Sequence, residues 1–90
     1  MSRTTFVEEA EAFLERLEDP TLPDAITRDR DFVRGEFQEM IRRALANDLP
    51  SRQERARGLW RTLDHWPAGY EWGGDLTNEL VRLERMYEML

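Results

Sequence analysis

From residue 76 onward the apolar side chains fall at Leu76, Leu80, Leu83, Tyr87 and Leu90, in steps of four, three, four and three. An α-helix returns to the same side about every 3.6 residues, so this spacing draws one continuous stripe along a helix. A strand would scatter the same residues over both of its faces. A stripe of this kind is stable only when another element covers it, which makes the rest of the chain a search for partners.

Three partners are present. Phe6, Ala10, Phe13 and Leu17 step by four, three and four, with Val7 and Leu14 widening the stripe. Val33, Phe37, Met40, Ile41, Ala44 and Leu45 form the second, and Ala56, Leu59, Trp60 and Leu63 the third. The boundaries carry their own signals. Thr5 and Glu8 have the spacing of a capping box, as do Ser51 and Glu54, and Asp75 can cap the last helix. Pro20, Pro50 and Pro67 disfavour helix in the residues before them. Gly35 sits inside the second stripe at a cost of about 1 kcal/mol relative to alanine. The chain thus predicts one all-α domain over residues 1–90, a small up-and-down bundle of about four helices near 5–18, 26–47, 52–65 and 76–89.

Composition fits that reading and limits function. Hydrophobic residues are 40% of the 90, enough for one core, and charged residues are 36%, enough to give every helix a wet face. The net charge is −6, which disfavours nucleic acid and anionic membranes and favours a basic protein partner. No apolar run reaches the roughly 18 residues of a membrane span. There is no cysteine, so no disulfide, zinc knuckle or thiol nucleophile is available, and the expected location is cytoplasmic. All 13 basic residues are arginine, as in proteins from GC-rich bacterial genomes, and lysine-based catalysis is excluded.

No set of residues suggests an enzyme. His65 is the only histidine and follows Asp64 directly, but adjacent helical residues point in different directions. It reads as a helix C-terminal histidine that eases the dipole, or as a pH-sensitive contact. The Glu-x-x-His pattern of di-iron bundles is missing, no metal-ligand spacing appears, and no cofactor is expected.

What remains is surface. Glu8, Glu11 and Glu15, with Glu18, form an acidic row at helical spacing, either a solvated face or a recognition strip for a basic protein. Residues 25–69 carry nine arginines against seven acids, with Arg52, Arg55, Arg57 and Arg61 along one helix and Arg42 and Arg43 just before it. These arginines read as partners for the acidic outer helices, as a protein contact, or as a contact to phosphate or RNA. The segment 66–74 places Trp66, Tyr70 and Trp72 beside Glu71 among three glycines and a proline. Such aromatics either fold over the end of the bundle or wait for a partner.

The function expected first is a non-catalytic protein-binding module that occludes a basic site, with Glu8, Glu11, Glu15, Trp66, Tyr70, Glu71 and Trp72 as contacts. The profile is shared by small acidic bacterial or phage inhibitors of the immunity, antitoxin and anti-defence kind, an analogy of composition and fold. Two alternatives stay open. One is a structural homo-oligomer associating through the C-terminal helix, extended by Met86 and Met89; the other is RNA or nucleotide binding by Arg52, Arg55, Arg57 and Arg61.

Overall fold

Helix α1 spans Arg3–Leu17 and starts three residues earlier than the Thr5–Glu8 spacing suggests. Ser2 is the cap: its hydroxyl accepts the Thr5 backbone N–H at 3.1 Å and lies 2.8 Å from the Thr5 hydroxyl. Two potential caps stand three residues apart, and the outer one wins because it adds a turn of helix and leaves fewer amides unsatisfied. Past α1, Asp19 accepts the Thr21 N–H at 2.8 Å and turns the chain at Pro20.

The computed structural model describes residues 2–22, 24–66 and 75–90, and among them there are five helices and no strand. The predicted second helix is two: α2, Asp24–Arg28, and α3, Arg30–Leu45. The break falls at Asp29, whose N–H closes a tight turn onto Ile26 O at 3.3 Å while its carbonyl accepts Val33 N–H at 3.2 Å. The short α2 buries Ile26, which is fully covered. Helix α4, Arg52–Asp64, begins at Ser51 as expected, with the hydroxyl accepting Glu54 N–H at 3.3 Å. Helix α5 is Asp75–Met89.

The order of contacts fixes the topology. Phe13 meets Phe37 at 4.9 Å between ring centroids, while Glu18 pairs with Arg30 and Arg34. Rising positions on α1 therefore meet falling positions on α3. Phe6 stacks on Tyr87 at 5.3 Å while Glu9 pairs with Arg82 at 3.0 Å, so α1 and α5 are also antiparallel. Trp66 with Thr77, Thr62 with Glu84 and Arg55 with Tyr87 set α4 against α5 in the same way. The four long helices form the expected up-and-down bundle.

Its fourth side is loose. Helix α1 packs along α3 and α5, and α4 packs along α5, but α3 and α4 share no interface of that extent. They touch where Phe32 stacks on His65 at 3.7 Å and where Arg61 reaches Glu36 at 3.1 Å. The side chains there explain the gap. Helix α4 buries Thr62 rather than the expected apolar stripe: Ala56 and Leu63 are half-buried, Trp60 is 69% exposed, and the Leu59 side chain lies outside the described ones. The inward line runs through Arg55, Gly58, Thr62 and Trp66, and Trp60 is more than a third of a turn away from it. Leu45, also expected in the core, is 69% exposed at the last position of α3, where the chain must leave the bundle. Met86, expected off the seam, is buried, because the covered arc of α5 is wider than the five-residue stripe.

Candidate functional site

Where α3 and α4 part, a cleft of about 350 Å³ opens down to α5. Met40 and Arg43 of α3, Arg55, Gly58 and Arg61 of α4, and Glu84 and Tyr87 of α5 are among its walls and floor. Three of the four arginines in the lining are already engaged. Arg43 Nε donates to Glu39 at 3.0 Å, and Arg61 donates two hydrogen bonds of 3.1 Å to Glu36. Arg55 donates to the Tyr87 carbonyl at 2.7 Å and lies 5.9 Å over the Tyr87 ring, and its buried Nε has no hydrogen-bond partner among the described residues. Arg57 is exposed.

The floor holds the least ordinary group in the protein. Glu84 is 2% exposed. Thr62 Oγ1 lies 2.8 Å from Glu84 Oε1 and 2.9 Å from the Gly58 carbonyl. Burial pushes the Glu84 carboxyl up to about 7, and the negative charge of Glu36 adds to the rise; the Thr62 hydroxyl and the positive charge of Arg61 work against it. Gly58 belongs to this arrangement. A Cβ built there would stand 3.6 Å from Glu84 Oε2 and 3.9 Å from Arg61 Nη2. The sequence did carry a trace of the floor: Glu84 follows Leu80 by four and precedes Tyr87 by three, so it lies on the apolar side of α5. Among the seam residues it is masked by its neighbour Leu83.

On the opposite side, α1 presents the expected acidic row. Glu8, Glu11 and Glu15 are exposed and make no ion pair among the described residues. The other two glutamates of this stretch are occupied, Glu9 by Arg82 and Glu18 by Arg30 and Arg34. The distinction is geometric. Phe6, Ala10, Phe13 and Leu17 mark the inward line, Glu9 and Glu18 lie nearer the flanking helices, and Glu8, Glu11 and Glu15 point directly away.

The remaining expected contacts separate. Trp66 is in the core, and its indole Nε1 donates to Thr77 Oγ1 at 2.9 Å. Tyr70, Glu71 and Trp72 lie outside the described residues. Arg52 reaches Met89 Sδ at 3.3 Å, so the four arginines of α4 do not present one free basic face: Arg52, Arg55 and Arg61 are each turned to a different internal partner. His65 is the C-cap of α4 and stacks on Phe32. Among the described residues no group of histidine, aspartate or glutamate side chains is placed to hold a metal ion, and no helix is long and apolar enough to cross a membrane. No family model, curated protein or solved structure matches this chain.

Proposed function

We propose that the protein is a non-catalytic protein-binding module that covers a basic surface of its partner with the outward face of α1, in the manner of an inhibitor of the immunity, antitoxin or anti-defence type. The observation that supports this reading is the selective sparing of Glu8, Glu11 and Glu15. In a chain with 13 arginines, these three carboxylates stay exposed without an ion pair among the described residues, while Glu9 and Glu18 of the same stretch are neutralised. Three like charges at helical spacing cost the helix a few tenths of a kcal/mol per pair, a cost that a basic partner would reverse. Together with a net charge of −6 they also steer such a partner to this side of the bundle.

The test replaces Glu8, Glu11 and Glu15 together by glutamine. The triple variant should keep the helical circular dichroism and melting temperature of the parent. A basic protein recovered with the tagged parent from its native host, and identified by mass spectrometry, should be lost with the variant at low salt. Recovery of the same proteins by both would overturn the proposal.

A further inference from the structure

The cleft between α3, α4 and α5 ends on an acceptor that no described residue satisfies. Glu84 Oε1 has the Thr62 hydroxyl, but Glu84 Oε2 makes no hydrogen bond among the described residues. In front of Oε2 lies the space that a side chain on Gly58 would fill, 3.6 Å away. The residue is 2% exposed, yet Oε2 is not one of the fully enclosed atoms without a partner, which among the described residues are Arg30 Nε and Arg55 Nε; it opens onto the cleft, where a ligand can supply the missing bond.

We infer that this cleft binds an organic cation carrying N–H donors, a guanidinium or primary ammonium group, seated between Gly58 and Glu84 Oε2. This site is separate from the α1 face, and neither depends on the other.

Three features select a cation. The unfilled position on the floor is an acceptor, so the ligand must donate. Burial makes the ionised carboxyl costly, so a donor with a positive charge gains more than a neutral one. Three of the four arginines that an anion would use are engaged, Arg43 with Glu39, Arg61 with Glu36, and Arg55 with the Tyr87 carbonyl and ring; the unpartnered Arg55 Nε is fully enclosed, which leaves exposed Arg57 as the one cation of the lining without a partner among the described residues. A metal ion is a poor occupant, because no cluster of ligating side chains surrounds the carboxyl among the described residues. The size is adequate, since pockets for small ligands begin at about 300 Å³ and this cleft is about 350 Å³.

Proton accounting follows from Thr62. Its hydroxyl has one proton and two acceptors within reach. In the empty cleft Thr62 donates to the Gly58 carbonyl and a protonated Glu84 donates to Thr62. When the cation enters, Glu84 releases its proton to solvent, Oε2 accepts the ligand N–H, and Thr62 turns its proton to Oε1. The charged groups facing Glu84 do not change this sense. Glu36, Glu39 and Arg43 come from α3, and Glu54, Arg55, Arg57 and Arg61 from α4. Tyr87 lies on α5 itself, and α1 brings Phe6 against Tyr87 and Glu9 against Arg82. Affinity should therefore rise with pH and fall about tenfold per unit below 7.

The experiment titrates the full chain with agmatine and, separately, with N-acetyl-arginine amide, followed by NMR shifts of the Gly58 and Glu84 amides at pH 6 and pH 8. Saturable shifts at pH 8, at least fivefold weaker at pH 6 and lost in Glu84→Gln, are expected. Binding of agmatine alone assigns a free small cation, and binding of the capped arginine assigns a side chain of a larger molecule. Gly58→Ala is the second variant: its methyl group makes ordinary contact with Oε2 and favours helix, so it should fold at least as stably and still lose binding. No shift at millimolar probe, binding that survives both substitutions, or saturable binding of inorganic phosphate in place of either cation would overturn the assignment.

Discussion

Glu84 and Thr62 meet at 2.8 Å, both almost wholly buried, between α5 and α4. Burial of this carboxyl, which the Thr62 hydroxyl only partly offsets, makes folding stability depend on pH. In the unfolded chain the carboxyl titrates near 4.5, whereas burial lifts it to about 7 in the folded protein. The folded state therefore holds a proton that the unfolded state has released. The stability contribution is complete below pH 4.5, declines as pH rises, and is gone above 7. The two-and-a-half-unit difference corresponds to about 3 kcal/mol, at about 1.4 kcal/mol per unit. Glu84→Gln keeps a neutral group of the same shape. It should leave stability near the parent value at pH 5 and exceed the parent by about 2–3 kcal/mol at pH 8. Urea unfolding at the two pH values measures this, and an equal effect at both would refute a titrating carboxyl. Glu39 has the opposite dependence, since hydrogen bonds from Arg42 and Arg43 hold it down to about 2; its window lies below the one set by Glu84.

Trp66 ties the end of α4 to the start of α5 through its bond to Thr77. Thr77→Val keeps the shape and removes the acceptor at 2.9 Å from the indole Nε1. The expected cost is about 1–3 kcal/mol, the usual penalty for a buried donor that loses its partner. Thermal melting should show it, with a red-shifted tryptophan emission if the indole comes loose. An unchanged melting temperature would mean that the bond contributes nothing to closing this end.

Much of the architecture was legible in the residues because periodicity reports burial directly. The lines Phe6–Ala10–Phe13–Leu17 and Leu76–Leu80–Leu83–Tyr87 are the core lines of α1 and α5. The break at Asp29 was not legible, because Asp24–Arg28 continues the helical pattern and only the geometry around Ile26 separates it from α3. Helix α4 misled for a physical reason. Its apolar residues Trp60 and Leu63 suggest one inward side, yet the side that faces α5 is Arg55, Gly58 and Thr62, whose partners are the polar atoms of Glu84 and Tyr87. A polar seam leaves no hydrophobic period to read. The acidic row on α1 could be read as exposed from its spacing; which of its members would find an arginine depends on helix packing, and packing is not encoded locally.

Gly35 lies in the middle of α3, exposed, with nothing within 4 Å of where its Cβ would be. Glycine there adds only backbone freedom to the unfolded chain. Gly35→Ala should stabilise the protein by about 0.5–1 kcal/mol without touching the core. It also borders the shallower groove that runs from the cleft past Arg61 to Asp31. A loss of stability in the melting curve would show that this face of α3 is covered in solution, by another copy or another molecule.

Asn47 ends α3 with φ at 56°, the left-handed conformation that side chains resist. The two bonds around it identify a Schellman closure: Asp48 N–H donates to Arg43 O at 3.0 Å, and Asn47 N–H to Ala44 O at 3.4 Å. Asparagine tolerates this position better than most residues, and glycine better still. Asn47→Gly should therefore be neutral or raise stability by up to about 1 kcal/mol, while Asn47→Val should lower it by about 1–2 kcal/mol through strain at positive φ. The pair also bears on the cleft, because Arg43 anchors the closure at its carbonyl and forms part of the cleft wall with its guanidinium. If the valine variant weakens agmatine binding in proportion to its loss of stability, the cleft depends on the turn that directs α4 away from α3. If it destabilises the fold and leaves the affinity for agmatine unchanged, the packing of α4 on α5 holds the seat without the turn.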